Sequence, residues 1–177
     1  MTETTASLAD AVFTVEIKAP RERVWKEITR LGQVSDIMFH TVLESDLKPG
    51  GKLRYWSPDK KNIWIVGTIQ EVTPPERFVH TYRFTDITDE SETLVTWELV
   101  EAAGVTRVTL THGRFTDQAK THKKVSGGWV AILELLKTVA EGKPIPFKWK
   151  AMYWMMDRFG WMMPKSTKAD EVLKAGG

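Results

Sequence analysis

The sequence predicts an α+β fold in which a strongly twisted antiparallel sheet grips one long helix. Three observations carry this reading. A strand and short helix open the chain, strands joined by tight turns fill its middle, and one long amphipathic helix follows.

Residues 11–19 (AVFTVEIKA) alternate Val, Phe and Ile with polar side chains, the two-residue period of a half-buried strand. Pro20 ends that ladder and suits the first turn of a helix. Val24, Trp25, Ile28 and Leu31 then share a helical face over residues 21–31, and Gly32 supplies a stop. Residues 33–39 are expected to add a second short helical turn.

Strands are expected at residues 41–46 and 52–56, either side of the turn Lys48-Pro49-Gly50-Gly51. Others follow at 63–72, at 77–85 after the corner Thr73-Pro74-Pro75, at 93–100 and at 105–112. Short connections leave no room for crossover helices, so neighbours must run antiparallel. The acidic run at 86–92 reads most simply as a solvated loop. In the long helix Val125, Trp129, Ile132, Leu133, Leu136, Val139 and Ala140 occupy one face, with Glu134, Lys137 and Glu141 opposite. Gly142 and Pro144 close it. That broad apolar face needs a large partner, and the curved sheet is the one available.

The chain has 177 residues, 42% hydrophobic and 27% charged, which suits one compact domain, or one domain plus an appendage. Its 25 basic and 23 acidic residues leave a formal charge of +2, too balanced for an electrostatic nucleic-acid reader. The absence of cysteine excludes disulfides, thiolate metal sites and cysteine nucleophiles. Residues 1–11 carry Glu3 and Asp10 and lack the cationic start and apolar run of a leader peptide. No stretch approaches the roughly 18 apolar residues of a membrane span, so a cytoplasmic protein is expected.

Several motifs in this order resemble a known superfamily. They are the opening Val15-Glu16-Ile17-Lys18-Ala19-Pro20-Arg21-Glu22-Arg23-Val24-Trp25, the Pro49-Gly50-Gly51 turn and the stretch Gly67-Thr68-Ile69-Gln70-Glu71-Val72-Thr73-Pro74-Pro75-Glu76-Arg77-Phe78. Thr106-Arg107-Val108-Thr109-Leu110-Thr111-His112 and Gly127-Gly128-Trp129 leading to Leu136-Lys137 complete the set. Together they resemble the SRPBCC superfamily, also called START or Bet v 1-like, and within it proteins similar to the activator of heat-shock-protein-90 ATPase. The resemblance covers residues 11–144. It implies a helix-grip fold: a curved antiparallel sheet around a long C-terminal helix, two short helices after the first strand, and a hydrophobic cavity between sheet and helix.

A cavity also has a physical basis, since a bent sheet cannot bring every inward side chain onto one helix. The alternative is that eight tryptophans and seven phenylalanines fill the space. Strand parity turns Phe78, His80, Tyr82 and Phe84 inward, together with Val95, Trp97 and Leu99, and Val108, Leu110 and His112. In 63–72 both faces are apolar near Trp64 to Val66, so parity does not choose. The expected ligand-binding wall is Phe78, His80, Tyr82, Trp97, Leu110, His112, Trp129 and Leu133, holding a hydrophobic or amphipathic small molecule. His80 and His112 also have the chemistry to move a proton, while the structural reading has them satisfying backbone groups. No residue set specifies catalysis. A protein-interaction role resembling chaperone-ATPase activation and a polyketide-cyclase-like enzyme are the alternatives that the resemblance brings.

No cofactor is called for. His40, His80, His112 and His122 lack metal-ligand spacing, Gly50-Gly51-Lys52 is not a P-loop, and neither GxGxxG nor GxSxG occurs. The acidic run lacks the order and glycine of a calcium loop.

Composition changes at residues 145–177. Met152, Met155, Met156, Met162 and Met163 lie here, out of seven methionines in all. Trp149, Met152, Met156, Phe159 and Met163 form a seam at steps of three and four. Docking on its own domain is the first reading of this extension, and a homodimer through the seam is the second. Tryptophans beside Lys148, Lys150, Arg158 and Lys165 suit a membrane interface, but because Trp and Met are not confined to one face, membrane contact is not expected. Beyond Pro164 the tail is polar and is expected to be mobile.

Overall fold

A computed structural model describes residues 8–116 and 118–177. Residues 1–7, where the sequence predicts no leader, lie outside the described part. The chain runs β1 (Ala11–Ile17), α1 (Arg21–Ile28), β2 (Val34–Ser35), β3 (Thr41–Ser45), β4 (Lys52–Trp56), β5 (Ile63–Thr73), β6 (Arg77–Phe84), β7 (Thr93–Ala102), β8 (Val105–Gly113), α2 (Ala119–Ala140), α3 (Phe147–Phe159) and α4 (Ala169–Lys174). The strands form one antiparallel sheet in the order β1-β8-β7-β6-β5-β4-β3-β2, curled about α2. The first strand therefore closes on the last, with Ala11 opposite His112 and Ile17 opposite Thr106.

Local chemistry explains most joins. Ala103 and Gly104 both take positive φ between the paired residues Ala102 and Val105, a two-residue turn whose twist matches its strands. A side chain at Gly67 would place its Cβ 2.0 Å from the Thr81 carbonyl oxygen, so β5 and β6 approach closely only with glycine there. Residues 33–39 do not form the expected second short helical turn along their whole length. They form the two-residue β2, then turns over 36–40 in which the His40 N–H donates to Ser35 at 3.0 Å. Positive φ at Phe39 and His40 prevents helical continuation.

On α2 the predicted face is inside: Val125, Trp129, Ile132, Leu133, Leu136 and Ala140 are buried. The helix begins six residues before its apolar pattern does, and its opening is secured from elsewhere. Glu90 accepts the backbone N–H groups of Lys120 at 2.8 Å and Thr121 at 2.9 Å, serving as a remote N-cap. Asp89 pairs with Lys120, and Asp86 with Lys124 at 2.7 Å. The acidic run is thus a clamp on the helix start rather than a merely solvated loop. At the other end, Glu141 accepts the Lys18 N–H at 3.1 Å and pairs with Lys143 at 2.6 Å. These contacts hold its carboxyl down at about 2.

Residues 165–177 are docked, contrary to the expected mobile tail. Val172 is buried with Val42, Trp56, Ile63 and Val66 on the sheet face opposite α2. Arg54 Nη2 donates to Gly177 O at 2.6 Å, and the Ala169 N–H donates to Lys61 O at 2.9 Å. This explains the apolar character of both faces of β5, since Ile65 meets the main core and Val66 lies under α4. No helix among the described residues is long and apolar enough to cross a membrane.

Val172→Asp is expected to detach α4 by placing a carboxylate in that apolar contact. Limited trypsin digestion should then release the tail while the rest of the domain resists. Unchanged digestion would show that the valine does not hold the tail.

Candidate functional site

A cavity of about 320 Å³ lies between the sheet, the first half of α2 and α3. The sheet contributes Trp64 and Ile65 from β5 and Tyr82 and Phe84 from β6, and the preceding turn adds Met38 and Phe39. The α2 wall includes Val125, Gly128, Trp129 and Ile132, and the extension brings Met152, Met156, Met163 and Thr167. Thr41 and the pair Asp86 and Lys124 add polar groups.

Two local features keep this space open. In the β4–β5 pairing Trp56 is opposite Ile63 and Tyr55 opposite Ile65, so Trp64 is an extra residue in a bulge. The bulge breaks alternation and brings Trp64 and Ile65 to the same cavity. On α2, Gly128 lines the cavity, and a Cβ added there would meet nothing within 4 Å. The helix is thin where an ordinary side chain would project into the hollow.

Beside the cavity the interior is solid and most of its polar groups are paired. Trp129 Nε1 donates to His112 Nδ1 at 2.8 Å, which leaves the neutral ring's proton on Nε2. Nε2 in turn donates to Thr93 Oγ1 at 2.6 Å, and that hydroxyl donates to Tyr82 O at 2.9 Å. Burial pushes the His112 pKa down to about 3, with the neighbouring His80 and His122 acting in the same direction. Burial likewise takes His80 down to about 4, although the Thr81 carbonyl, 2.8 Å from Nδ1, acts against it. Among the described residues, His80 Nε2 is buried without a partner. Burial raises the Tyr82 phenol well above its ordinary value, keeping it protonated and able to donate.

The extension closes the open side. Tyr153 donates its hydroxyl to Asp36 O at 2.6 Å and stacks on His40, with centroids 5.0 Å apart. Trp149 packs on Phe39, centroids 5.9 Å apart, and His40 Nε2 lies 3.4 Å from Asp157. An adjoining cavity of about 230 Å³ shares Phe39, Thr41, Trp64 and Met156 with the first and is more polar, lined also by His40, Ser57, Asp59, Asn62 and Asp157. Among the described residues, no three histidine or carboxylate groups converge where a metal ion would sit.

Of the eight residues named from the sequence, Tyr82 and Trp129 line the larger cavity. Phe78, His80, Trp97, Leu110, His112 and Leu133 are buried in the core cluster or its polar network instead. Trp97 against the edge of Trp129, centroids 5.7 Å apart, exemplifies how aromatic volume fills that part. Trp64 was hidden by the bulge. The wall from α3 had a signal in the Met152 and Met156 spacing, though nothing in that spacing named its partner.

The chain belongs to the family described as Activator of Hsp90 ATPase homolog 1-like protein, whose model matches residues 18–141. No curated protein matches it. Among solved structures, an HSP90 activator from Plasmodium falciparum is 24% identical with a TM-score of 0.63, covering 76% of this chain and 97% of its own. CalU16 from Micromonospora echinospora is 20% identical with a TM-score of 0.60, covering 86% of each chain. A protein from Cytophaga hutchinsonii is 23% identical with a TM-score of 0.60, covering 77% and 96%. At these identities the likeness establishes the helix-grip fold.

Both buried histidines are neutral in the fold, whereas in the unfolded chain they protonate below about pH 6.5. The unfolded state therefore binds more protons between about pH 6.5 and 4, and stability falls as pH drops through that window. At about pH 4.5 the loss should be roughly 2–3 kcal/mol per histidine. Thermal melts from pH 7 to 4.5 should show this decline, and His80→Leu should make it shallower. An unaltered pH slope in that variant would remove His80 from the account.

Proposed function

We propose that this protein binds a hydrophobic or amphipathic small molecule, lipid-like or aromatic, in the cavity between sheet, α2 and α3, and that it does so in the cytoplasm. The observation that carries the reading is an apolar hollow held open by a bulge and by the helical Gly128 in an otherwise densely packed core. A volume of about 320 Å³ is at the small end of ligand sites. Flexible thioethers at Met38, Met152, Met156 and Met163 adapt to varied apolar shapes. The Tyr82 phenol, Thr41 and the pair Asp86 and Lys124 offer hydrogen bonds that would orient a polar head.

Proton-transfer chemistry draws no support from the same geometry. Both His112 nitrogens are committed inside the core, and burial removes basicity from His80. A chaperone-ATPase activating role rests on family membership and stands second. Homodimerisation through the Trp149, Met152, Met156, Phe159 and Met163 seam is disfavoured, because all of it except Phe159 is turned toward its own domain.

Gly128→Leu tests the reading without weakening the fold. Leucine should project into the hollow, and replacing a helical glycine contributes roughly 0.5–1 kcal/mol of stability. The parent should bind Nile red, with a lipid or aromatic panel displacing it, and native mass spectrometry should detect a retained small molecule. Gly128→Leu should lose dye binding by at least tenfold with no fall in Tm. Bare parent protein that ignores dye and panel would end the proposal.

A further inference from the structure

Docking of the extension sorts its apolar residues into two sets. Trp149, Met152, Tyr153 and Met156 turn toward the domain, where they meet Phe39, His40 and the cavity. The opposite side of α3 and the 3-10 turn at Gly160–Met162 expose Phe147 (82%), Trp154 (66%), Trp161 (73%) and Met162 (66%), with Met155 and Phe159 close to half exposed. Phe147, Ala151, Trp154 and Met155 stand at i, i+4, i+7 and i+8, which is one helical stripe. The objection raised by the sequence, that Trp and Met occupy more than one face, therefore lapses: the second face is consumed by the domain.

Charge identifies the partner for the exposed stripe. Lys148, Lys150, Arg158 and Lys165 surround it, all exposed and, among the described residues, in no ion pair. The acid of α3, Asp157, points instead toward His40. Protein interfaces enrich aromatic side chains, methionine and arginine but deplete lysine, whereas three of these four cations are lysines, the flanking that an anionic headgroup region attracts. Tryptophan prefers that depth, and each nearby lysine or arginine adds on the order of fivefold in affinity for an anionic surface.

We infer that the outer face of α3 and the following 3-10 turn is a docking surface for anionic lipid membranes, on which the protein lies without spanning. The same helix forms a wall of the cavity from its inner side, so docking would place that cavity one helix away from lipid. The surface proposal stands on the exposed face and does not depend on what the cavity holds.

Co-sedimentation of the full chain with vesicles tests it, using phosphatidylcholine alone and phosphatidylcholine with about one-third phosphatidylglycerol. The parent should associate at least tenfold more tightly with the anionic vesicles, and raised salt should weaken this. Trp154→Ser combined with Trp161→Ser should lower association at least tenfold with an unchanged Tm. Lys148→Glu combined with Lys150→Glu should abolish the anionic preference by charge alone. Gly128→Leu should sediment like the parent, so cavity and surface fail independently. Absence of parent association, or variants that sediment as the parent does, would overturn the inference. So would light scattering that finds a dimer dissolved by Trp154→Ser, because a second copy would then own the face.

Discussion

Burial of one side of α2 is the constraint on which the remaining architecture depends. Val125, Trp129, Ile132, Leu133, Leu136 and Ala140 need cover, and each large side chain among them gains roughly 1.5–3 kcal/mol from leaving water. Cover on that scale requires a sheet that curls, with its first strand brought round to its last. The helix itself is held at both ends by carboxylates from outside it or beyond its last turn. Glu90 satisfies N–H groups at its start, and Glu141 joins its end to the chain following β1. Such links fix where along the sheet the apolar face lies.

The grip is uneven, and that unevenness gives the molecule a site. Near β7 and β8 the interior is filled by Phe78, Trp97, Leu110 and Trp129, with His112 incorporated as a neutral, doubly bonded member. Toward β5 and the start of α2, Gly128 withdraws volume and a bulge brings Trp64 beside Ile65 on the cavity wall. Close packing on one side thus supplies the rigidity with which an opening on the other can persist. The polar atoms of the solid part are mostly satisfied internally, which separates stability from any interaction made in the hollow.

The extension completes that division. Its inner residues finish the cavity wall while its outer residues leave apolar and cationic groups in water, and α4 protects the opposite sheet face through Val172. One segment of about thirty residues therefore packs on two surfaces and leaves a third in water. Wrapping the domain in this way uses both faces of β3 to β5, and this is why their sequence lacks clean alternation.

The amino-acid sequence by itself determined most of the elements and their order, β2 and α4 excepted. The period-two pattern of β6 placed Phe78, His80, Tyr82 and Phe84 on one side, the spacing of α2 marked its buried face, and ordered motifs carried the family resemblance. Those signals are local, written in the repeat of the backbone. Tertiary structure alone decided which inward residues meet open space and which meet each other, because that depends on side chains brought together from distant strands and helices. It also turned the acidic run at 86–92 into a helix clamp, moved Trp64 onto the cavity through a bulge, and ordered the polar tail. Each of these outcomes arises from a contact between residues far apart in the chain, a distance over which periodicity carries no information.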